Sequence, residues 1–153
     1  MKKISFIAIV IFISSIFAGK VLDHYYKKFW ANPFEKLDAI FKDSSIRDII
    51  FIGDSRVHAG INPYYVDSIT KLNTYNLGMG GASINEVCFL TESWLKNHKP
   101  PKLFIYSIGY GSILRSDINF KNPCYYLFYL NNKFVYNTFE DLNYHVQIGR
   151  AHV

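Results

Sequence analysis

Three short apolar runs constrain the fold of this chain more than any other feature. They cover residues 49–52, 74–77 and 103–108. Each is short enough for a strand that is buried on both faces. Helical patterns separate them, one over residues 64–71 and another that Ser83 can cap and that ends before Pro100. Alternating strands and helices are typical of a parallel sheet, so the sequence predicts an α/β domain.

The second helical pattern has an apolar face. We expect this face to comprise Ile84, Val87, Cys88, Thr91, Trp94 and Leu95. A shorter helix is expected behind Asn32-Pro33, where Leu37, Ile40 and Phe41 share one face.

Two glycine-rich stretches follow the first two predicted strands. Gly53-Asp54-Ser55 comes directly after the first, and "NLGMGGAS", residues 76–83, follows the second. Ligands of parallel α/β sheets bind at the carboxyl ends of strands, so both stretches are candidate site loops. A serine at a tight strand-to-helix turn holds its hydroxyl clear of the sheet, near backbone N–H groups that can stabilise an oxyanion. Ser55 is therefore a candidate nucleophile, and the alternative is that it only helps to turn the chain.

The neighbours of Ser55 have expected roles of their own. Asp54 is predicted to accept hydrogen bonds from backbone N–H groups of the turn, rather than to act as a base. Arg56 either contacts an anionic group or lies in solvent. His58 follows Ser55 by one helical turn, which is expected to carry the ring past the hydroxyl.

The N-terminus has the pattern of an export segment. Two lysines precede a run over residues 4–22 that is apolar throughout except for three serines, one glycine and Lys20. Its length is close to the roughly 20 residues that cross a bilayer, and "SSIFAGK" is a poor signal-peptidase site. The sequence predicts an uncleaved signal anchor over residues 1–22 and a juxtamembrane linker over residues 23–46. A buried core helix is the weaker alternative, because the run has no polar face. We expect the globular domain to cover residues 47–147.

These motifs together resemble the SGNH (GDSL-type) hydrolase family. A strand into Gly-Asp-Ser, then Asn-x-Gly-x-x-Gly before a helix, then an apolar strand after prolines carry the resemblance over residues 47–111. "GDSRVHAGINP" looks like the membrane-anchored, cell-envelope branch. The resemblance implies a three-layer, flavodoxin-like parallel sheet, which is incomplete in this chain. It also implies Ser55 as nucleophile, with the backbone N–H groups of Ser55 and Gly81 in the oxyanion hole.

One block departs from the family pattern. The family usually supplies an Asn side chain to the oxyanion hole after the third strand, but Gly111 stands at the aligned position in this chain. A backbone donor or Ser112 is the candidate substitute. Arg56, Gly111 and Ser112 are accordingly weaker candidates for substrate binding.

The catalytic base is the second departure. The family places its histidine near the C-terminus, three residues after an aspartate, and no histidine here has that setting. His24 lies beside the expected membrane, His98 ends a helix, and Asp141 and His145 are four residues apart. Residues 148–153, "IGRAHV", match the translation of a common sequencing adapter. We therefore expect a truncated chain that lacks the histidine block and is inactive on its own.

Composition excludes some other functions. The net charge of +5 comes from scattered Lys and Arg, without the basic and aromatic runs that track nucleic acid. Cys88 and Cys124 are expected to be free and buried, and their spacing indicates no metal site. We expect neither a cofactor nor a metal ion, and oligomeric state is not indicated.

The aromatic segment "NPCYYLFYLNNKFVYNTFEDLNYH" leaves two interpretations. It is expected to form a helical pair whose aromatic face packs against segments that this chain lacks. The alternative is a lid over the edge of the site.

Two classes of function fit these observations. The first is a serine acyl-hydrolase or acyltransferase, anchored in the membrane, that acts on ester-linked acyl groups of a cell-envelope glycan or lipid. Its domain would lie on the extracytoplasmic face, in the periplasm or at the surface of a bacterium. The second is a non-catalytic module of the same fold that binds a glycan or a partner protein. The intact Gly-Asp-Ser turn favours the first class, and Gly111 favours the second.

Overall fold

A computed structural model describes residues 2–29, 31–110 and 120–142 of the chain. It contains two compact units, Met1–Glu35 and Lys36–Val153. The globular unit therefore begins at Lys36, upstream of the expected start at Arg47. Helix α2, Ala31–Phe41, spans the boundary, and Leu37 and Ile40 on the predicted apolar face are fully buried.

The first unit is dominated by one long helix, α1, Lys2–Phe29. Its stretch Ile9–Phe29 has a mean hydropathy of 1.2 and none of it is buried. By length and composition alone, α1 is long and apolar enough to cross a membrane. The helix continues beyond residue 22, where the anchor was expected to end.

The second unit contains a three-stranded parallel sheet. Its strands are β1, Ile49–Gly53, β2, Thr74–Asn76, and β3, Leu103–Ser107, in the order β2-β1-β3. Ile49, at the start of the central strand β1, is in register with Thr74 of β2 on one side and with Leu103 of β3 on the other. The predicted parallel α/β arrangement is confirmed, and each strand lies within one residue of its expected bounds.

The third strand is less buried than its sequence indicated. Leu103 is 49% exposed and Tyr106 is 44% exposed, whereas Ile50 and Ile52 of β1 are fully buried. The prediction that β3 is buried on both faces was wrong. The physical reason is its position, because β3 lies at an edge of the sheet formed by the described residues.

Three helices connect the strands: α3, Ser55–Gly60, α4, Pro63–Thr70, and α5, Ile84–Asn97. Side-chain caps explain where α4 and α5 begin. The Asn62 side chain accepts from the N–H groups of Tyr64 and Tyr65 at the start of α4. The Ser83 hydroxyl accepts from the Glu86 N–H at the start of α5, as expected.

The buried face of α5 is rotated relative to the expected one. Its buried residues are Glu86, Val87, Phe89, Leu90, Ser93 and Trp94. Cys88 and Leu95 are exposed. Phe89 is covered by the rings of Phe120 and Phe134, whose centroids lie 4.9 and 5.4 Å away. Cys124 is exposed as well, so the prediction that the two cysteines are buried was wrong.

The aromatic segment forms a 3₁₀ helix, Pro123–Tyr129, and α6, Lys133–Asp141. Tyr126 and Phe139 are buried, with ring centroids 6.0 Å apart. The Tyr129 hydroxyl donates to the Asp38 carboxylate of α2. The predicted helical pair is confirmed, but its aromatic face packs within this chain rather than against absent segments.

Candidate active site at the carboxyl end of the sheet

Ser55 lies at the turn between β1 and α3. Gly53 ends the strand, Asp54 is the N-cap residue, and Ser55 begins the helix. The Asp54 Oδ1 accepts from the Arg56 N–H at 3.0 Å, so the expected role of Asp54 as a turn acceptor is confirmed. The Ser55 side chain is exposed, and its hydroxyl has no hydrogen-bond partner within the described residues. A serine in this setting is open to an incoming ligand.

The glycine loop, residues 77–83, runs beside this turn. The Leu77 N–H donates to Phe51 O at 2.8 Å, and the Met79 N–H donates to Gly53 O at 2.9 Å. The hydrogen bonding of β2 to β1 therefore continues past the end of β2, up to the residue just before Asp54. The two stretches that were expected to form a site thus lie side by side at the carboxyl edge of β1 and β2.

Gly81 occupies a position that only glycine fits easily. Its φ is +77°, which L side chains rarely adopt. An added Cβ would lie 2.7 Å from Cδ of Lys121. Backbone conformation and local crowding thus both favour glycine at this position. The role of the Gly81 N–H in an oxyanion hole stays a prediction.

Asn76 fastens the glycine loop to α3, a role that the sequence did not reveal. Its Nδ2 donates to Val57 O and to Ile61 O, each at 2.8 Å, and its Oδ1 accepts from the Gly78 N–H at 2.9 Å. The asparagine of the Asn-x-Gly-x-x-Gly spacing is buried and holds the end of α3 against the loop. Its position in that motif was the available signal, but a motif alone does not show which backbone groups a side chain reaches.

Arg56 lies across the ends of β1 and β3. Its Nε and Nη2 donate to the two oxygens of Asp54 at 3.1 and 2.8 Å. These hydrogen bonds and the charge of the carboxylate raise the pKa of the Arg56 guanidinium above its usual value. A Cβ on Gly109, which follows β3, would lie 2.5 Å from Cζ of Arg56, so the guanidinium packs directly on this glycine. Arg56 is paired with Asp54 and also exposed to solvent, and a substrate contact stays a prediction. Gly111 and Ser112 lie outside the described residues.

The described histidines have partners other than Ser55. The His58 Nδ1 lies 2.9 Å from the Lys36 ammonium. His98 caps the C-terminus of α5, as expected at a helix end, and its Nε2 lies 2.8 Å from Ile40 O. Its ring stacks on Trp94 with centroids 4.0 Å apart. His145 lies outside the described residues.

Glu86 and Tyr126 brace the glycine loop from the side of the aromatic segment. The Tyr126 hydroxyl donates to the Glu86 Oε1 at 2.6 Å and lies 3.7 Å from the Met79 sulfur. Burial raises the pKa of the Glu86 carboxyl, although hydrogen bonds from Tyr126 and from the Lys121 and Ser83 N–H groups oppose this shift. Lys121, whose side chain packs on Gly81, is thus held through its own backbone.

Metal ligands do not cluster in the part of the chain that the structure describes. No group of three or more His, Cys, Asp or Glu side chains there could hold a metal ion. The chemistry of the site within these residues is that of a serine hydroxyl, backbone N–H groups and one guanidinium.

No protein-family model matches the chain, and no curated protein matches it significantly. The resemblance to the SGNH family therefore rests on the motifs themselves and on their placement at one edge of the sheet.

Proposed function

We propose that this chain carries the nucleophile of a membrane-anchored, SGNH-type serine acyl-hydrolase or acyltransferase. Its substrate would be an ester-linked acyl group of a cell-envelope glycan or lipid. The observation that carries the proposal is the exposed Ser55 at the β1-to-α3 turn, beside a glycine loop that the Gly53 carbonyl holds in place. A strand-to-helix turn of this kind presents a nucleophile above the sheet.

The proposed chemistry is acyl transfer. The Ser55 Oγ attacks the ester carbonyl carbon, its proton passes to a base, and the carbonyl oxygen becomes an oxyanion. The backbone N–H groups of Ser55 and Gly81 stabilise that oxyanion. The alcohol leaves with a proton from the base, and water or a second hydroxyl then takes the acyl group from Ser55. The resemblance assigns the base to a histidine three residues after an aspartate, and no histidine in this sequence has that setting.

The strand order supports the proposed fold. The order β2-β1-β3 corresponds to the first three strands of a flavodoxin-like sheet, 2-1-3-4-5. In that arrangement ligands bind where β1 and β3 diverge. Arg56 spans the ends of these two strands, so an anionic group of a substrate would meet its guanidinium there. We therefore propose the three-layer SGNH arrangement for the globular unit.

The N-terminal helix supports a membrane location. None of the stretch Ile9–Phe29 is buried, and lipid would cover its exposed apolar side chains. Lys2 and Lys3 precede the apolar run, and positive charges favour the cytoplasmic side. We propose that α1 stays as an anchor and that the globular unit lies on the extracytoplasmic face.

A second candidate is a non-catalytic module of the same fold that binds a glycan or a partner protein. The observation that favours it is the engagement of His58 with Lys36 and of His98 with Ile40. Each ring thus has one nitrogen engaged by a group other than Ser55.

The two candidates are separated by ester turnover. The protein is expressed from its complete gene, purified in detergent, and assayed with nitrophenyl acetate as wild type, Ser55→Ala and Ser68→Ala. Ser68 is a matched control, because its exposed hydroxyl donates to Tyr65 O within its own helix. We expect Ser55→Ala to lose nearly all turnover, up to roughly 10⁶-fold, with Ser68→Ala unchanged. Unchanged turnover in Ser55→Ala would contradict the enzyme, and absent wild-type turnover would favour the binding module.

A further inference from the structure

Lys36 is a buried lysine at the start of the globular unit. Only 8% of the residue is exposed, although it belongs to a segment that the sequence indicated as a linker. A buried ammonium is costly unless hydrogen-bond acceptors surround it. The groups that accept hydrogen bonds from Lys36 therefore indicate its structural role.

The Lys36 ammonium bridges α3 and the glycine loop. It donates to the Gly78 carbonyl, and its Nζ lies 2.9 Å from His58 Nδ1. An ammonium carries donors and no acceptor, so His58 Nδ1 must accept this hydrogen bond. A neutral imidazole that accepts at Nδ1 carries its hydrogen on Nε2.

The groups that Lys36 bridges also pack directly on each other. A Cβ on Gly78 would lie 2.5 Å from the His58 N and 2.7 Å from the Val57 Cβ, so loop backbone and helix are in close contact. Asn76 ties the same loop to the far end of α3. Lys36, which belongs to α2, adds hydrogen bonds from a third element to both the glycine loop and α3.

We infer that Lys36 is a positioning residue of the proposed site. Its ammonium fixes His58 as the Nε2–H tautomer and fixes the glycine loop, which carries Gly81, against the helix that begins at Ser55. This inference rests on the proposed function for its effect on catalysis. Its structural part, the tautomer, holds independently of any activity. In this tautomer Nε2 of His58 carries a hydrogen, so it has no lone pair with which to accept the Ser55 proton.

The tautomer is tested on the whole chain in detergent with ¹⁵N-labelled histidine. Long-range ¹H–¹⁵N correlations distinguish a protonated ring nitrogen from an unprotonated one, and His58→Gln identifies the His58 signals by their loss. We expect an unprotonated Nδ1 and a protonated Nε2 in the wild type. A protonated Nδ1 would overturn the inference, whatever the activity.

The positioning role is tested in the product of the complete gene by Lys36→Met, which keeps the stem and removes the donors. We expect kcat to fall, by up to about 10²-fold as for small misplacements of a site, with little change in KM. The His58 signals should move toward a mixture of tautomers. Lys42→Met is the control, because Lys42 directly follows the same helix but its side chain is exposed. Lys36→Arg, which retains donors, should restore part of kcat and remains informative if Lys36→Met does not fold.

The outcomes separate this inference from the proposed function. Unchanged kcat and an unchanged His58 spectrum in Lys36→Met would overturn the positioning role. Full turnover in Ser55→Ala would instead contradict the proposed function, while a wild-type Nε2–H tautomer would still support the Lys36 contact.

Discussion

Arg56 folds back onto Asp54 and forms a two-point ion pair, with Nη2 2.8 Å from Oδ2 and Nε 3.1 Å from Oδ1. The same carboxylate accepts from the Arg56 N–H and caps α3. One aspartate thus sets both the direction of the helix that begins at Ser55 and the place of the guanidinium beside Gly109. The cap and the ion pair can be separated by substitution.

We expect Asp54→Ala to destabilise the domain by about 0.5–2 kcal/mol through loss of the N-cap. Asp54→Asn keeps an acceptor for the Arg56 N–H and loses only the charge. Its effect should be smaller, because solvent screens the exposed Arg56 partner. Urea unfolding of the two variants beside the wild type measures this difference. Equal destabilisation by both would show that charge, rather than capping, stabilises the turn.

The positive φ of Gly81 gives a second prediction. Gly81→Ala should cost about 1–2 kcal/mol, because an L residue is strained in that conformation. It should also lower turnover, since its Cβ would displace Lys121 and shift the proposed oxyanion donor. Gly80→Ala is the control, because a Cβ there meets no atom within 4 Å. Equal stability and activity in the two alanine variants would contradict a role of Gly81 in the site.

The raised pKa of Glu86 predicts a pH dependence of stability. Below its ordinary value of 4.5 the carboxyl is protonated in both the folded and the unfolded chain, and its contribution is fully present. As the pH rises through the higher pKa of the folded state, the buried carboxyl ionises and that contribution is lost. The Tm of the wild type should therefore fall relative to the Tm of Glu86→Gln as the pH rises from 4.5 toward neutral.

Glu92→Gln is the control for this experiment, because Glu92 lies on the same helix and is exposed. Its Tm should follow that of the wild type across the same range. A wild-type Tm that rises relative to Glu86→Gln toward neutral pH would reverse the sign and contradict the buried, destabilised carboxylate.

Retention of α1 is the fourth prediction. The protein should fractionate with membranes and resist extraction by high salt or carbonate, because Ile9–Phe29 exposes apolar side chains along its length. Detergent should release it with its N-terminus intact. Sequencing that N-terminus checks the anchor, and a mature chain that starts near Lys20 would show instead a cleaved signal peptide.

The elements that the sequence predicted well are those set by local pattern. The β1 run is apolar at every position before Gly53, and Asn62 and Ser83 are capping residues next to their helices. These apolar runs and capping residues act over a few neighbouring residues, so they depend little on contacts with distant parts of the chain. Asp54 was recognised as a turn acceptor for the same reason.

The features that the sequence did not predict depend on contacts between distant residues. Lys36 fell within the predicted juxtamembrane linker, yet its ammonium reaches residues 58 and 78. The α5 face is rotated because Phe120 and Phe134 cover Phe89, which periodicity within the helix does not reveal. β3 is apolar but lies at an edge of the described sheet, and its composition does not distinguish an edge from a centre.

The central claim is that Ser55 is an activated nucleophile, and covalent labelling tests it most directly. The product of the complete gene is incubated with a fluorophosphonate, which phosphonylates activated serines, and is then mapped by peptide mass spectrometry. The account predicts one adduct on Ser55, no adduct in Ser55→Ala, and full labelling in Ser68→Ala. Ester turnover with no adduct on Ser55, or an adduct that persists in Ser55→Ala, would contradict it.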